Sequence, residues 1–86
     1  MSTVELLEES IELAKRLGYT VRQEWLDGKE GGACEFAGKK WLFIDLSMDA
    51  REQLDQVVDA LSGDPEVAET NLPCGLRRLF GLGKAA

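Results

Sequence analysis

Two cysteines and a run of aspartates are the side chains in this sequence that could do chemistry, and the chain has no histidine. Cys34 follows two glycines, and Cys74 lies between Pro73 and Gly75. Histidine is the commonest general base and a frequent zinc ligand. Its absence argues against acid–base catalysis and against a tetrahedral zinc site within one chain. We therefore expect no catalytic residue, no metal and no cofactor, and we disfavour an enzyme.

The two thiols remain candidates for reactivity. A thiol becomes a good nucleophile beside a base or at a helix N-terminus. No such neighbour of Cys34 is visible in the sequence, which favours a small apolar core residue there. Cys74 precedes a possible helical turn with Arg77 and Arg78, features that lower a thiol pKa, although an incidental tail thiol is favoured. The alternative function that these cysteines allow is that of a thiol-dependent redox protein or enzyme.

Four aspartates follow one another at the end of the third predicted strand and along the second predicted helix: Asp45, Asp49, Asp55 and Asp59. Clustered carboxylates can bind a divalent cation. A solvated helix face with one N-terminal cap has the same composition, and it is the interpretation that we favour.

Two capping boxes predict where the helices begin. Ser2-Thr3-Val4-Glu5 precedes apolar residues at helical spacing, and Asp49-Ala50-Arg51-Glu52 precedes a second such pattern. Gly18 and Gly63 follow these two patterns and predict where the helices end. The patterns predict one helix at about residues 3–17 and another at about 50–62.

Between the helices, β-forming residues and glycines predict three strands, so the order is helix, strand, strand, strand, helix, tail. We expect an α+β fold in which both helices pack on one face of a three-stranded antiparallel meander. Residues 1–71 form the predicted domain and residues 72–86 a basic, apolar C-terminal tail. The predicted core residues are Leu7, Ile11, Leu17, Ile44, Leu54, Val58 and Leu61.

The predicted hairpin in GGACEFAGKKWLFIDL has two different faces. A two-residue loop at Gly38-Lys39 would place Phe36 opposite Trp41 and Cys34 opposite Phe43, all four side chains on one face. A loop one residue longer would instead move Cys34 and Phe36 to the aliphatic face. In either register the strand with Trp41 and Phe43 is apolar on both sides.

Two short helices can cover only one face of such a sheet. The tail, with Leu76, Leu79 and Phe80, could fold over the aromatic face, or a second molecule could cover it. A small-ligand pocket is the third alternative. Because aromatic side chains carry large apolar areas, we expect this face to be shielded by protein.

The bulk composition excludes some partners. A formal net charge of −6 disfavours nucleic-acid binding, since phosphate contacts need clustered basic residues. No apolar run approaches the ~18 residues of a membrane span. The N-terminus lacks the pattern of a secretory signal. These features and the two unpaired thiols predict a cytoplasmic protein.

The segment FIDLSMDAREQLDQVVDALSG contains an apolar strand end, Ser47, a capped helix start at Asp49 and then Gln53. With the residues that precede it, from Leu17 onward, it resembles in outline the minimal zinc-metallopeptidase domain of bacterial phage-type antirepressors. That family has a helix, strands, a short polar turn and a capped helix bearing His-Glu-x-x-His.

The catalytic positions of that motif are all different here. Aligned without a gap, Asp59 and Gly63 stand at the histidine positions and Ala60 at the glutamate position. The resemblance therefore implies a zincin-like fold without its activity.

We expect a non-catalytic protein-interaction or self-association domain, most simply a homodimer. The interface candidates are Phe36, Trp41, Phe43, Leu76, Leu79 and Phe80.

Overall fold

The structure is a computed structural model, and it describes residues 2–29, 31–69, 72 and 74–81. The predicted α+β order is confirmed, with two short helices added at the C-terminal end. The elements are α1 (Thr3–Arg16), β1 (Tyr19–Glu24), β2 (Gly32–Phe36), β3 (Lys39–Asp45), α2 (Ala50–Leu61), α3 (Glu66–Glu69) and α4 (Cys74–Leu79). Among these residues no helix combines the length and the apolar character needed to cross a bilayer.

Both predicted capping boxes are present. The Ser2 hydroxyl accepts from the Glu5 backbone N–H at 3.2 Å, and the Glu5 carboxylate accepts from the Ser2 N–H at 3.3 Å. Asp49 and Glu52 form the same reciprocal pair at 2.9 and 3.2 Å. These bonds satisfy backbone donors that the first turn of a helix leaves unpaired.

The sheet is mixed, so the predicted antiparallel meander is wrong. Its order is β1-β3-β2, with β1 parallel to β3 and β2 antiparallel to β3. The most apolar strand, β3, therefore takes the centre, and the more polar β1 and β2 form the edges, where unpaired backbone is solvated. The chain between β1 and β2 passes the carboxyl end of β3 instead of making a tight hairpin.

The loop of the hairpin between β2 and β3 is Ala37-Gly38, one residue earlier than the predicted loop at Gly38-Lys39. This difference shifts the pairing of β2 with β3 by two residues. Ala37 and Gly38 have φ of 53° and 77°. Positive φ at both central residues is the pattern of a type I′ turn, which suits the twist of paired strands. Cys34 consequently pairs with Trp41. Because a shift by two preserves the alternation, the predicted division into faces is confirmed and the one-residue shift is wrong.

The core lies between the sheet and the helices. Of the seven predicted core residues, five are buried there, while Ile11 and Val58 pack half-buried against it. The full buried cluster is Leu7, Leu13, Ala14, Leu17, Leu42, Ile44, Leu54, Val57, Leu61, Val67, Leu72 and Leu76.

The C-terminal tail packs on the helical side of the molecule. Leu72 and Leu76 belong to the buried cluster, and α4 contacts α1. Leu79 and Phe80 lie half-buried against the same core. The described part of the tail thus completes the core, and the alternative in which it folds over the aromatic face is wrong. Burial of leucines on the side already lined by α1 explains this placement.

Candidate functional site

The sheet face that points away from the helices carries the candidate site. We define this open face by the residues that line one shallow depression of about 370 Å³: Arg22, Glu24, Cys34, Phe36, Trp41 and Phe43. The Trp41 and Phe43 rings stack along β3, with centroids 6.1 Å apart and an interplanar angle of 10°. Phe36 is 73% exposed. Trp41 and Phe43 are half-buried, so the three aromatic side chains form one partly exposed surface.

Strand pairing explains why these residues meet. Arg22 on β1 lies beside Phe43, and Cys34 on β2 lies beside Trp41. Paired residues of neighbouring strands share a face, so three strands contribute alternate side chains to one surface. The neighbouring positions on β3, Leu42 and Ile44, point to the opposite face and are fully buried.

The rim of the open face is charged. Arg22 Nε and Glu24 Oε2 are 3.5 Å apart, and both side chains are about half exposed. Lys39, which pairs with Phe36 at the end of the hairpin, is exposed as well. Exposed ion pairs contribute little to stability. An apolar centre inside a polar rim is, however, the usual composition of a protein–protein interface.

Cys34 is exposed, so the expectation of a core thiol is wrong. It lies on the edge strand β2 and its side chain points to the side of the sheet away from the helices. The thiol lines the aromatic depression and also a second one of about 420 Å³, with Gly31, Gly32, Ala33 and Phe43. The thiol is therefore accessible to reagents.

For the other cysteine, Cys74, the structure describes only the backbone. The backbone of Cys74 begins α4, and its side chain lies outside what the structure describes. Arg77 and Arg78 follow it in the same helix, as the sequence suggested. A reactive Cys74 stays a prediction.

Asp45 is fully buried, contrary to the expected solvated acid. Its carboxylate accepts from the backbone N–H of Leu26 at 3.0 Å, of Gly28 at 2.9 Å and of Ser47 at 2.9 Å, and from the Ser47 hydroxyl at 2.7 Å. Burial alone would raise the pKa of Asp45, but the hydrogen bonds from Ser47, Gly28 and Leu26 outweigh it and hold the pKa well below its usual range. This carboxylate fastens the β1–β2 connection to the end of β3.

The remaining aspartates of the predicted cluster point elsewhere. Asp49 caps α2, Asp55 forms an exposed ion pair with Arg51 at 3.2 Å, and Asp59 is exposed. In the part of the chain that the structure describes, no three histidine, cysteine, aspartate or glutamate side chains lie close enough to hold a metal ion.

A second polar cluster joins the sheet to the segment after α2. Tyr19 donates to Asp64 at 3.0 Å, and the ammonium group of Lys40 lies 3.5 Å from the same carboxylate. Burial chiefly, and then the bond to Asp64, raises the pKa of Tyr19 to about 12. The hydrogen bond from the Glu66 backbone N–H is the main cause of a lowered pKa of Asp64. The contacts of Tyr19 and Lys40 with Asp64 hold the segment after α2 against the sheet.

The structure brings together only part of the predicted interface. Phe36, Trp41 and Phe43 share the open face, whereas Leu76 is buried and Leu79 and Phe80 pack half-buried on the helical side. Sequence reasoning missed Arg22 and Glu24 as members of this surface. Their alternation along β1 was a visible signal, but it could not show that β1 pairs with β3.

Comparisons of the chain with protein-family models, with curated proteins and with solved structures each gave no match. The resemblance to the metallopeptidase domain therefore stays a prediction.

Proposed function

We propose that this chain is a non-catalytic protein-interaction domain that binds through the open face of its sheet. The observation that carries the proposal is the stacked Trp41–Phe43 pair, which lies half-buried on this face beside the exposed Phe36. Aromatic residues dominate the binding energy of interfaces, because they bury large areas at a low entropic cost. At ~25 cal/mol per Å² of apolar area, covering these rings is worth several kcal/mol.

The conspicuous polar groups already have structural partners. Asp45 holds the β1–β2 connection, and Tyr19 with Asp64 holds the segment after α2. A strongly shifted pKa often marks a functional site, but a carboxylate bonded to loop backbone shifts its pKa for structural reasons. The open face is therefore the surface on which the proposal rests.

Trp25 offers a matched control for a test of this function. It is 69% exposed and does not line the open face. The full chain and its Trp41→Glu and Trp25→Glu variants would each be immobilised and exposed to soluble cell proteins and to a differently tagged second copy. We expect the wild type and Trp25→Glu to retain a protein that Trp41→Glu does not retain. Equal retention by all three chains would contradict the proposal.

The exposure of Cys34 favours a second candidate, a thiol-dependent redox protein or enzyme. Such a function requires a thiolate near neutral pH, whereas an ordinary cysteine has a pKa of ~8.5. The rate of alkylation of Cys34 in a Cys74→Ser chain, measured against pH, tests this candidate. A midpoint well below that of free cysteine would support it, and an ordinary midpoint would exclude it.

A further inference from the structure

We propose that the open face binds the open face of a second copy of this chain, so that two sheets stack in a symmetric dimer. This inference rests on the proposed function and names its partner. Its first support is the central strand, in which Leu42 and Ile44 are buried under the helices while Trp41 and Phe43 point the other way. Strands that are apolar on both sides are typical of sheets covered on both faces.

The distribution of charge favours this orientation for two copies. The exposed surfaces of α1 and α2 are acidic on balance: the bases Lys15, Arg16 and Arg51 are outnumbered by the acids Glu5, Glu8, Glu12, Glu52, Asp55 and Asp59. The open face carries one acid, Glu24, with Arg22 beside it and Lys39 at its rim. Two chains of net charge −6 repel each other. Contact through the open faces keeps the acidic helices on the outside, far apart.

The shape of the molecule provides the area that a dimer needs. Its Cα atoms span 40 × 31 × 16 Å, so that one sheet layer and one helical layer form a thin slab. A standard interface takes ~800 Å² from each partner. The broad side of the slab has room for that area. Two slabs joined through their sheets, spaced ~10 Å apart as in other stacked sheets, would form a four-layer assembly.

The open face is also suited to contact with the same face of a second copy. A two-fold axis brings the same patch of both subunits together, so the patch must be complementary to its own copy. Trp41 and Phe43 lie on the central strand, where an axis would bring the aromatic rings of both copies together. Arg22 and Glu24 give each rim both signs of charge. Cys34, beside Trp41 in the register, would be enclosed.

Sedimentation equilibrium of the full-length chain over a wide range of concentrations tests the inference. We expect the apparent mass of the wild type and of Trp25→Glu to double as concentration rises, because dimerisation follows mass action. Trp41→Glu and Phe43→Lys should keep the monomer mass at every concentration. Circular dichroism of each variant checks that it is folded. A wild type that stays monomeric, or a dimer that survives both substitutions in folded chains, would overturn the inference.

Alkylation of Cys34 in the Cys74→Ser chain locates the contact independently. We expect the rate to fall about tenfold once most of the chain is dimeric, since only the monomer exposes the thiol. A dimer in which Cys34 reacts as fast as in the monomer would place the contact elsewhere and overturn the inference. A monomeric wild type that still retains a foreign protein through Trp41 would refute self-association and leave the proposed interaction function standing.

Discussion

The Asp45 carboxylate accepts a hydrogen bond of 2.9 Å from the backbone N–H of Gly28, and this bond links the end of the central strand to the connection between the two edge strands. Three further bonds, one from Leu26 and two from Ser47, complete the set. Gln56 accepts from the Asp45 N–H at 2.9 Å and so ties the same point to α2. One buried side chain therefore organises the mixed sheet that displays the open face.

Asp45→Asn should destabilise the fold although it keeps the shape of the side chain. One carboxylate oxygen accepts from Leu26 and Ser47 and the other from Gly28. If the oxygen of the new amide accepts the bonds from Leu26 and Ser47, its NH₂ group points toward the Gly28 N–H, so that two donors face each other. Urea denaturation at neutral pH should show a clearly lower midpoint than for Asp55→Asn, an exposed control on α2. Equal midpoints would contradict this role.

The same residue predicts a dependence of stability on pH. Because the folded pKa of Asp45 lies below its ordinary value of 3.8, the charged form is favoured by folding. Its contribution is present above pH 3.8 and is lost as the pH falls below that value. The difference in midpoint between the wild type and Asp45→Asn should therefore shrink on acidification. A difference that stays constant into strong acid would show that the charge is unimportant.

Tyr19 is the only tyrosine in the chain, so its titration can be followed by ultraviolet absorbance. We expect a midpoint near 12 in the folded protein, against 10.0 for the free side chain. A raised folded pKa stabilises the fold below pH 10, and that contribution is lost as the pH rises through 12. Removal of the Asp64 acceptor by Asp64→Asn should lower the midpoint only in part, because burial is the larger cause. A midpoint equal to that in urea would contradict the assignment.

Local signals in the sequence predicted local structure well, and long-range pairing was predicted poorly. Ser2 and Asp49 cap their helices through partners three residues away, which a sequence displays directly. Two of the donors to Asp45, Gly28 and Leu26, lie 17 and 19 residues earlier, and nothing in that spacing predicts them. Without that contact, consecutive strands were expected to pair as a meander.

The candidate surface was predictable because it depends on the alternation of side chains between the two faces of a strand. A register error of two residues leaves every side chain of β2 and β3 on the same face of the sheet, so Phe36, Trp41 and Phe43 were grouped correctly. The position of the tail was not predictable, since Leu76 has the same character whether it covers a sheet face or joins a helical core.

Leu76→Ala tests whether the tail belongs to the core. Leu76 is fully buried, and removing a buried leucine side chain costs ~2–5 kcal/mol of unfolding free energy through lost burial and a cavity. Leu79→Ala, at a half-buried position on the same helix, should cost less. Chemical denaturation of both variants and of the exposed Val4→Ala gives the comparison. A Leu76 variant as stable as the Val4 variant would place the tail outside the core.

Ala37→Asn should stabilise the hairpin. Ala37 has a φ of 53°, a conformation that favours asparagine over alanine at the first central position of a type I′ turn. We expect a gain in unfolding free energy that is smaller than the ~1–2 kcal/mol that the left-handed conformation costs an ordinary L-residue. Gly38→Ala, at a φ of 77°, should instead lose stability. If Ala37→Asn were destabilising, the turn would have another conformation.

Acrylamide quenching of Trp41 fluorescence tests most directly whether the open face is the surface that another protein covers. A Trp25→Phe chain has Trp41 as its only tryptophan, and a Trp41→Phe chain keeps only Trp25 as the control. Both would be measured across the concentration range in which the chain associates. The account predicts that quenching of Trp41 falls as association proceeds, while quenching of Trp25 does not change. Association that leaves Trp41 fully quenchable, or that protects Trp25 instead, would contradict it.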